Sequence, residues 1–259
     1  VNTALVLQRS DAKVTSISHV AAEGFRLLGY EVLWADMVFL RAVQPDKDMI
    51  VVGSLEATHL WLQRCGVPVP DNIDYPPALS PWLNRSIERS TLGAIRKAVQ
   101  LSEFQNDLPG HGWRRFVKPA DDGIKAFPGH VVSAFRQLIR SAGLPDDMPV
   151  WVSSPVNFLS EYRCFVQHDK VLSCRPYRGD PLAFPDGEAI QQMVEAFAPK
   201  APNAYCLDVG VIEDHRGLHT TLVEVNDAYA AGDYGLDPIL YARFLEARWC
   251  ELTGASPVP

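Results

Sequence analysis

Apolar positions along the chain recur with two periods. TALVLQ, EVLWAD and DMIVVG, near the start, are short apolar runs bounded by polar residues, the pattern of buried strands. SISHVAAEGFRLLGY, after the first of them, has apolar residues at helical spacing, with Gly29 near its end. SLEATHLWLQRCG predicts a further helix capped by Ser54. Strand–helix–strand order with short loops predicts a small parallel α/β unit over residues 1–75. Proline-rich VPVPDNIDYPPALSP reads as an ordered connection or a domain boundary. SIERSTLGAIRKAVQLSEF then reads as a helix within a connecting segment, 76–109. From 110 to 259 the character changes. WRRFVKP is a strand stopped by Pro119, HVVSAFRQLIRSAG an amphipathic helix, and PVWVSS, SEYRCFVQ and KVLSCRPY are strands. AIQQMVEAFAP is helical, YCLDVGVIED and LHTTLVEVN are strands, and DPILYARFLEARWCELTG closes the chain as a helix. Adjacent antiparallel strands flanked by helices make this half α+β.

Composition narrows the function classes. The 259 residues are 47% apolar and 21% charged, ordinary for a soluble globular protein. A net charge of −7 offers no basic footprint for nucleic acid. No apolar run approaches a membrane span, and the opening VNTALVLQRSD does not read as a signal peptide. The five cysteines, with no C-x-x-C pair, fit reduced thiols in a cytoplasmic protein. The seven histidines are dispersed, and no zinc grouping is visible.

The strand LHTTLVEVN sets Glu224 and Asn226 on the face opposite Val223 and Val225. A three-residue loop ending in Gly217 would pair it with YCLDVGVIED, placing Asp214 opposite Leu218 and Asp208 opposite Glu224. Carboxylates that close repel, so a shared proton, a basic side chain or a divalent cation should compensate. Asn226 adds a neutral oxygen. This all-oxygen set suits Mg²⁺ held jointly with phosphates rather than zinc. A solvated hairpin face is the competing reading.

Cations precede this hairpin. Lys118 ends the strand FVKP with its neighbour Val117 facing the core, and Lys125 follows in a loop with Gly123 and Gly129. Both lysines suit polyphosphate, or are ordinary surface charges; no P-loop signature is present. Arg163 lies mid-strand and shares a face with Glu161. It reads as that residue's ion-pair partner or as a fork for a transferred phosphoryl group. Arg175 and Arg178, in CRPYRGD, are candidates for an anionic substrate or a solvated strand end.

Taken in order, FVKP, SEYRCFV, YCLDVGV and VEVNDAY…YGLD resemble the ATP-grasp superfamily over roughly residues 110 to 252. Within it they resemble the small clade named for one arginine and two lysines. The resemblance implies an α/β preceding domain and an ATP-grasp domain over 110–259, with ATP between two α+β subdomains hinged near 151–158. Adenine would lie against the backbone of Val152, Ser153 and Ser154; Pro155 has no N–H to donate. Lys118, Lys125 and Glu161 would contact the nucleotide, and Asp208, Glu224 and Asn226 would hold one or two Mg²⁺ ions. The implied reaction joins a small-molecule or peptide carboxylate to an amine or other nucleophile through an acyl phosphate, with Arg163 and Lys125 as catalytic groups. Cys206 stands where many relatives carry an arginine, which leaves the oxyanion role open among Arg163, Arg175 and Arg178. A kinase on the same scaffold and a nucleotide-binding module without turnover are the rival functions. No nucleic-acid or membrane partner is expected, and the oligomeric state stays open, with a homodimer one alternative because dimers are common among proteins generally.

Overall fold

The N-terminal segment alternates strands and helices, as its apolar runs require. The computed structural model describes residues 3–7, 16–105, 112–120, 126–215 and 217–257. It begins with β1 (Thr3–Leu7), α1 (Ser16–Leu27), β2 (Glu31–Ala35), α2 (Met37–Ala42), β3 (Ile50–Val52) and α3 (Leu55–Arg64). The strands form a parallel sheet in the order β2-β1-β3. β1 and β3 are almost wholly buried, so they read as unbroken apolar runs. Ser54 caps α3, its Oγ accepting from Ala57 N at 3.3 Å. α2 is an element the sequence reading lacks; Asp36 caps it by accepting from Phe39 N at 2.7 Å.

A 3₁₀ turn (Pro77–Trp82) leads to β4 (Ile87–Thr91), α4 (Leu92–Gln105), β5 (Arg115–Pro119), β6 (His130–Val132) and, after a second 3₁₀ turn (Phe135–Ser141), β7 (Pro149–Ser153). These strands form an antiparallel sheet, β4-β7-β5-β6. Two expected helices are corrected here. Ile87–Thr91 pair with β7 as a strand, and the helix begins only at Leu92, where Thr91 Oγ1 accepts from Ala94 N. HVVSAFRQLIRSAG is also split: His130–Val132 pair with β5, and Phe135–Ser141 is 3₁₀. Gln137 Oε1 folds back to accept from the N–H groups of Ser133 and Ala134, which favours the tight turn.

The C-terminal part comprises β8 (Ser160–Gln167), β9 (Lys170–Gly179), α5 (Gly187–Phe197), β10 (Ala204–Asp214), β11 (Gly217–Asp227) and α6 (Pro238–Thr253). Its sheet is antiparallel in the order β11-β10-β8-β9. The chain divides into two units, Val1–Trp82 with Phe158–Pro259, and Leu83–Asn157. In the first, Phe25 and Trp61 belong to one apolar cluster with Phe165, Phe244 and Trp249, so both of its sheets share a core. Trp249 Nε1 donates to Lys47 O at 2.9 Å, and Tyr30 Oη to Glu246 Oε1 at 2.5 Å, within the same core. In the second unit, Leu92, Ile95 and Val99 of α4 pack with Val117, Val150 and Val152. No described helix is long and apolar enough to cross a membrane.

α1 and α6 approach closely because residue 24 is glycine: a Cβ there would lie 1.9 Å from Pro238 O. Gly24→Ala would gain about 0.5–1 kcal/mol of helix propensity. It must also push a backbone carbonyl aside, an overpacking cost of about 1–3 kcal/mol. The clash should win, and the urea midpoint should fall. An unchanged midpoint would mean that the helices separate freely.

Candidate functional site

A polar row crosses all four strands of the C-terminal sheet. The register pairs Arg175 on β9 with Arg163 on β8, Arg163 with Asp208 on β10, and Asp208 with Glu224 on β11. Strand alternation puts Glu161 and Asn226 on the same face. The hairpin reaches this pairing by an unexpected route. Asp214 faces Gly217, and Leu218 faces Glu213, one residue from the expected register. A bulge between Asp208 and Val209 then takes up the difference: Val209 pairs with Leu222, Asp208 with Glu224, and Val223 is the extra residue. Gly217, at φ +101°, closes the turn.

Arg163 and Asp208 form a two-pronged ion pair, Nε to Oδ1 at 2.8 Å and Nη2 to Oδ2 at 2.7 Å. Their side chains are 12% and 2% exposed, so the pair is shielded from water. The Asn226 amide nitrogen donates to Asp208 Oδ2 and to Glu224 Oε1, both at 3.0 Å. Burial works against the Arg163 charge, but the hydrogen bond and charge of Asp208 outweigh it and hold the guanidinium well above its ordinary value. The Tyr234 ring covers this guanidinium at 4.7 Å and meets Tyr177 edge-on at 5.7 Å. Tyr234 and Gly235 both have positive φ, 44° and 79°, and Leu236 N donates to Asp233 O, which makes a type I′ turn that presents the ring.

Glu161 is not the partner of Arg163. Its carboxylate is buried and accepts from Tyr177 Oη at 2.9 Å and Arg178 Nη1 at 2.8 Å. Burial, then the negative charges of Asp208 and Glu161, pushes the Tyr177 hydroxyl far above its usual range, so it stays a donor. Arg178 is thereby engaged. Arg175 is different: its Nε is buried with no hydrogen-bond partner, and it lies opposite a second arginine. Cys206 is fully enclosed beside Phe165 and Asn226, and burial raises its thiol pKa. On the ladder next to the row, Cys164 and Cys174 face each other with Sγ atoms 2.7 Å apart; both are unbridged.

The second unit has its own polar row. Arg89 on β4, Trp151 on β7 and Lys118 on β5 are successive cross-strand partners, on the face away from α4. The Arg89 guanidinium lies 5.2 Å from the Trp151 ring and donates to Ala120 O at 2.9 Å. Lys118 is largely buried, and Gly129 approaches its Cβ so closely that an added methyl would stand 3.1 Å away. Ser153 lies on this same face and Val152 in the core. Ser154 N donates to Ser86 O at 3.3 Å. Lys125 lies outside the described residues.

A model of the ATP-grasp domain, in family 2 of the clade named for one arginine and two lysines, matches residues 82–244. The chain belongs to this ATP-grasp family. Three solved structures have the same fold at low identity. The D-cycloserine synthetase DcsG is 12% identical, with a TM-score of 0.52 over 95% of this chain and 99% of that one. D-alanyl-alanine synthetase A from Vibrio cholerae O1 biovar eltor is 17% identical, with a TM-score of 0.52 over 95% and 93%. The ATP-grasp ligase PsnB, complexed with a minimal precursor, is 15% identical, with a TM-score of 0.51 over 96% and 99%. No curated protein shows significant sequence similarity.

The donor set of this ATP-grasp chain can be tested against a divalent ion. Among the described residues, no three His, Cys, Asp or Glu side chains group as ligands, so a cation here would rest on two carboxylates completed by neutral oxygens, for which the carboxamide is placed. Asp208 Oδ2 and Glu224 Oε1 do converge, on one amide nitrogen. Turned over, the Asn226 amide would place its oxygen where that nitrogen stands, leaving three oxygens aimed at one region. That is a fit for a hard cation completed by phosphate oxygens. The sequence pattern gives Arg89 no site role, because the strand bearing it reads as helix, and places Trp151 only in the strand PVWVSS. Tyr177 was also missed; its only signal is its position between Arg175 and Arg178.

Proposed function

We propose that this ATP-grasp protein is an ATP- and Mg²⁺-dependent ligase that joins a carboxylate to an amine through an acyl phosphate. The observation that carries the reading is the convergence of Asp208 and Glu224 on the Asn226 amide beside Arg163. A carboxylate oxygen of the substrate attacks the γ-phosphorus of ATP and ADP leaves. The amine then attacks the acyl carbon, phosphate leaves, and the nitrogen gives up a proton. Asp208, Glu224 and Asn226 would hold Mg²⁺, which supplies charge neutralisation for the phosphate oxygens. Lys118 and Lys125 would steady the phosphates as point charges, and the Val152–Ser154 segment would border the adenine. Arg163 and Arg175 would carry the positive charge facing the reacting carboxylate. Glu161 would act indirectly, by fixing Tyr177 and Arg178. The named activities of DcsG, D-alanyl-alanine synthetase and PsnB support a ligase over a kinase.

ATP with Mg²⁺ should stabilise the protein by about 2.7 kcal/mol at a hundredfold excess over Kd. Lys118→Ala should remove most of that shift, read as Tm in a thermal scan. ADP release against pooled carboxylic acids and amines, with mass analysis of products, then tests the reaction. A new amide supports the ligase, a stable phosphorylated product would make it a kinase, and nucleotide binding without turnover would make it a binding module.

A further inference from the structure

Asp208 already has a cation. Arg163 grips both of its oxygens, at 2.8 and 2.7 Å, in a setting nearly closed to water. The Asn226 amide nitrogen fills the space between Asp208 Oδ2 and Glu224 Oε1. A divalent ion bound by these oxygens would have to turn the amide and meet a guanidinium 2.7 Å from one of its ligands. Two carboxylates alone would draw such an ion; two carboxylates with a fixed positive charge against one of them draw it far less.

Further contacts flank Arg163 on both sides. Tyr234 caps it from an exposed type I′ turn, so the cover is a loop rather than packed core. On its other side stands Arg175, a like charge whose Nε has no partner. Adjacent arginines on one sheet face repel unless anions lie among them. Asp208 serves that purpose for Arg163, and nothing among the described residues does so for the Arg175 Nε. An incoming phosphate would satisfy Arg175 and compete with Asp208 for Arg163 at the same time.

We infer that Arg163 is the resident counter-ion of the cation site: without nucleotide its guanidinium neutralises Asp208, and the divalent ion enters only with a triphosphate that draws the guanidinium away. This rests on the cation site of the ligase reading and adds to it an order of events, in which metal and nucleotide arrive together. Arg163 is thus a positioning residue for the metal before it is anything to the substrate.

Mn²⁺ alone is the probe, its binding read by loss of the free-ion EPR signal from the full chain. Wild-type protein should bind Mn²⁺ weakly without nucleotide. Arg163→Gln keeps a hydrogen-bonding side chain but removes the charge, and should tighten Mn²⁺ binding at least about tenfold. Arg163→Lys keeps the charge, loses the two-pronged grip, and should fall between the two. Asp208→Asn added to Arg163→Gln should abolish the gain, which places it at this site. If Arg163→Gln proves too unstable, the Arg163→Lys shift alone decides the matter, and Mn²⁺ should raise the Tm of that variant more than that of wild type. Equal Mn²⁺ affinity in wild type and both variants would overturn the proposal while leaving the ligase reading intact, provided all three bind Mn²⁺–ATP. Failure of the wild type to bind Mn²⁺ even with ATP would overturn both.

Discussion

Glu224→Gln should separate activity from stability. The glutamine keeps the side chain's length and can still accept from the Asn226 amide, which lies 3.0 Å from Glu224 Oε1 in the native arrangement. It also removes one of two negative charges that face each other across β10 and β11. Arg163 already neutralises Asp208 in the nucleotide-free protein, so this loss should leave the nucleotide-free Tm nearly unchanged. Turnover should move the opposite way. A cation held by one carboxylate instead of two loses much of its grip. Loss of one preorganised electrostatic group of this kind lowers kcat by about 10²–10³-fold. ADP formation in the coupled assay should fall on that scale, with part recovered at high Mg²⁺. Asp208→Asn is the less informative change, because it also orphans the buried Arg163 and would confuse lost folding with lost chemistry. Wild-type ADP formation by Glu224→Gln would remove the carboxylate from any role in holding metal.

The pairing on which this rests was legible in the sequence, though by compensating differences. Alternation in LVEVN fixes which residues share a face, because that depends on neighbours alone. The hairpin turn is one residue off the expected register, and the bulge after Asp208 restores it. A bulge depends on twist and on packing against both faces, and nothing local announces it. Partners set by distant strands were illegible for the same reason. Arg163 and Asp208 are 45 residues apart, and no short turn fixes the register of β8 on β10. Proximity suggested Glu161 as the partner instead, whereas Glu161 bonds across to Tyr177 and Arg178 on β9, where a further bulge intervenes. The Arg89–Trp151–Lys118 row was hidden differently: Ile87–Thr91 precedes a true helix without a break, and only its pairing with β7 makes it a strand. The parallel N-terminal sheet was the clearest part, since apolar runs buried on both faces need no partner to be recognised.

The largest stability effect is expected at Arg248→Met. Arg248, on α6, grips Asp227 at the end of β11, Nε to Oδ1 at 2.8 Å and Nη2 to Oδ2 at 2.6 Å. Its Nη1 also donates to Glu251 Oε2 at 2.8 Å. Both members of the main pair are under a tenth exposed, so neither charge falls back on water when the other is removed. Burial opposes the Arg248 charge, but the bond and charge of Asp227 outweigh it and raise its pKa. Methionine fills most of the volume and leaves the Asp227 carboxylate buried without its guanidinium, keeping the Tyr229 N–H at 3.3 Å as a neutral donor, which costs about 3–5 kcal/mol, a large part of a domain's stability. Urea unfolding should show a lower midpoint with little change in slope. Adding Asp227→Asn should recover part of the loss, because the orphaned charge, rather than a missing attraction, is the main penalty. Asp227 directly follows Asn226, so the same variant should also bind Mn²⁺–ATP more weakly in proportion to how far the end of β11 shifts. Full stability in Arg248→Met would mean that Asp227 finds water or another donor, and that α6 does not anchor the strand carrying Glu224 and Asn226.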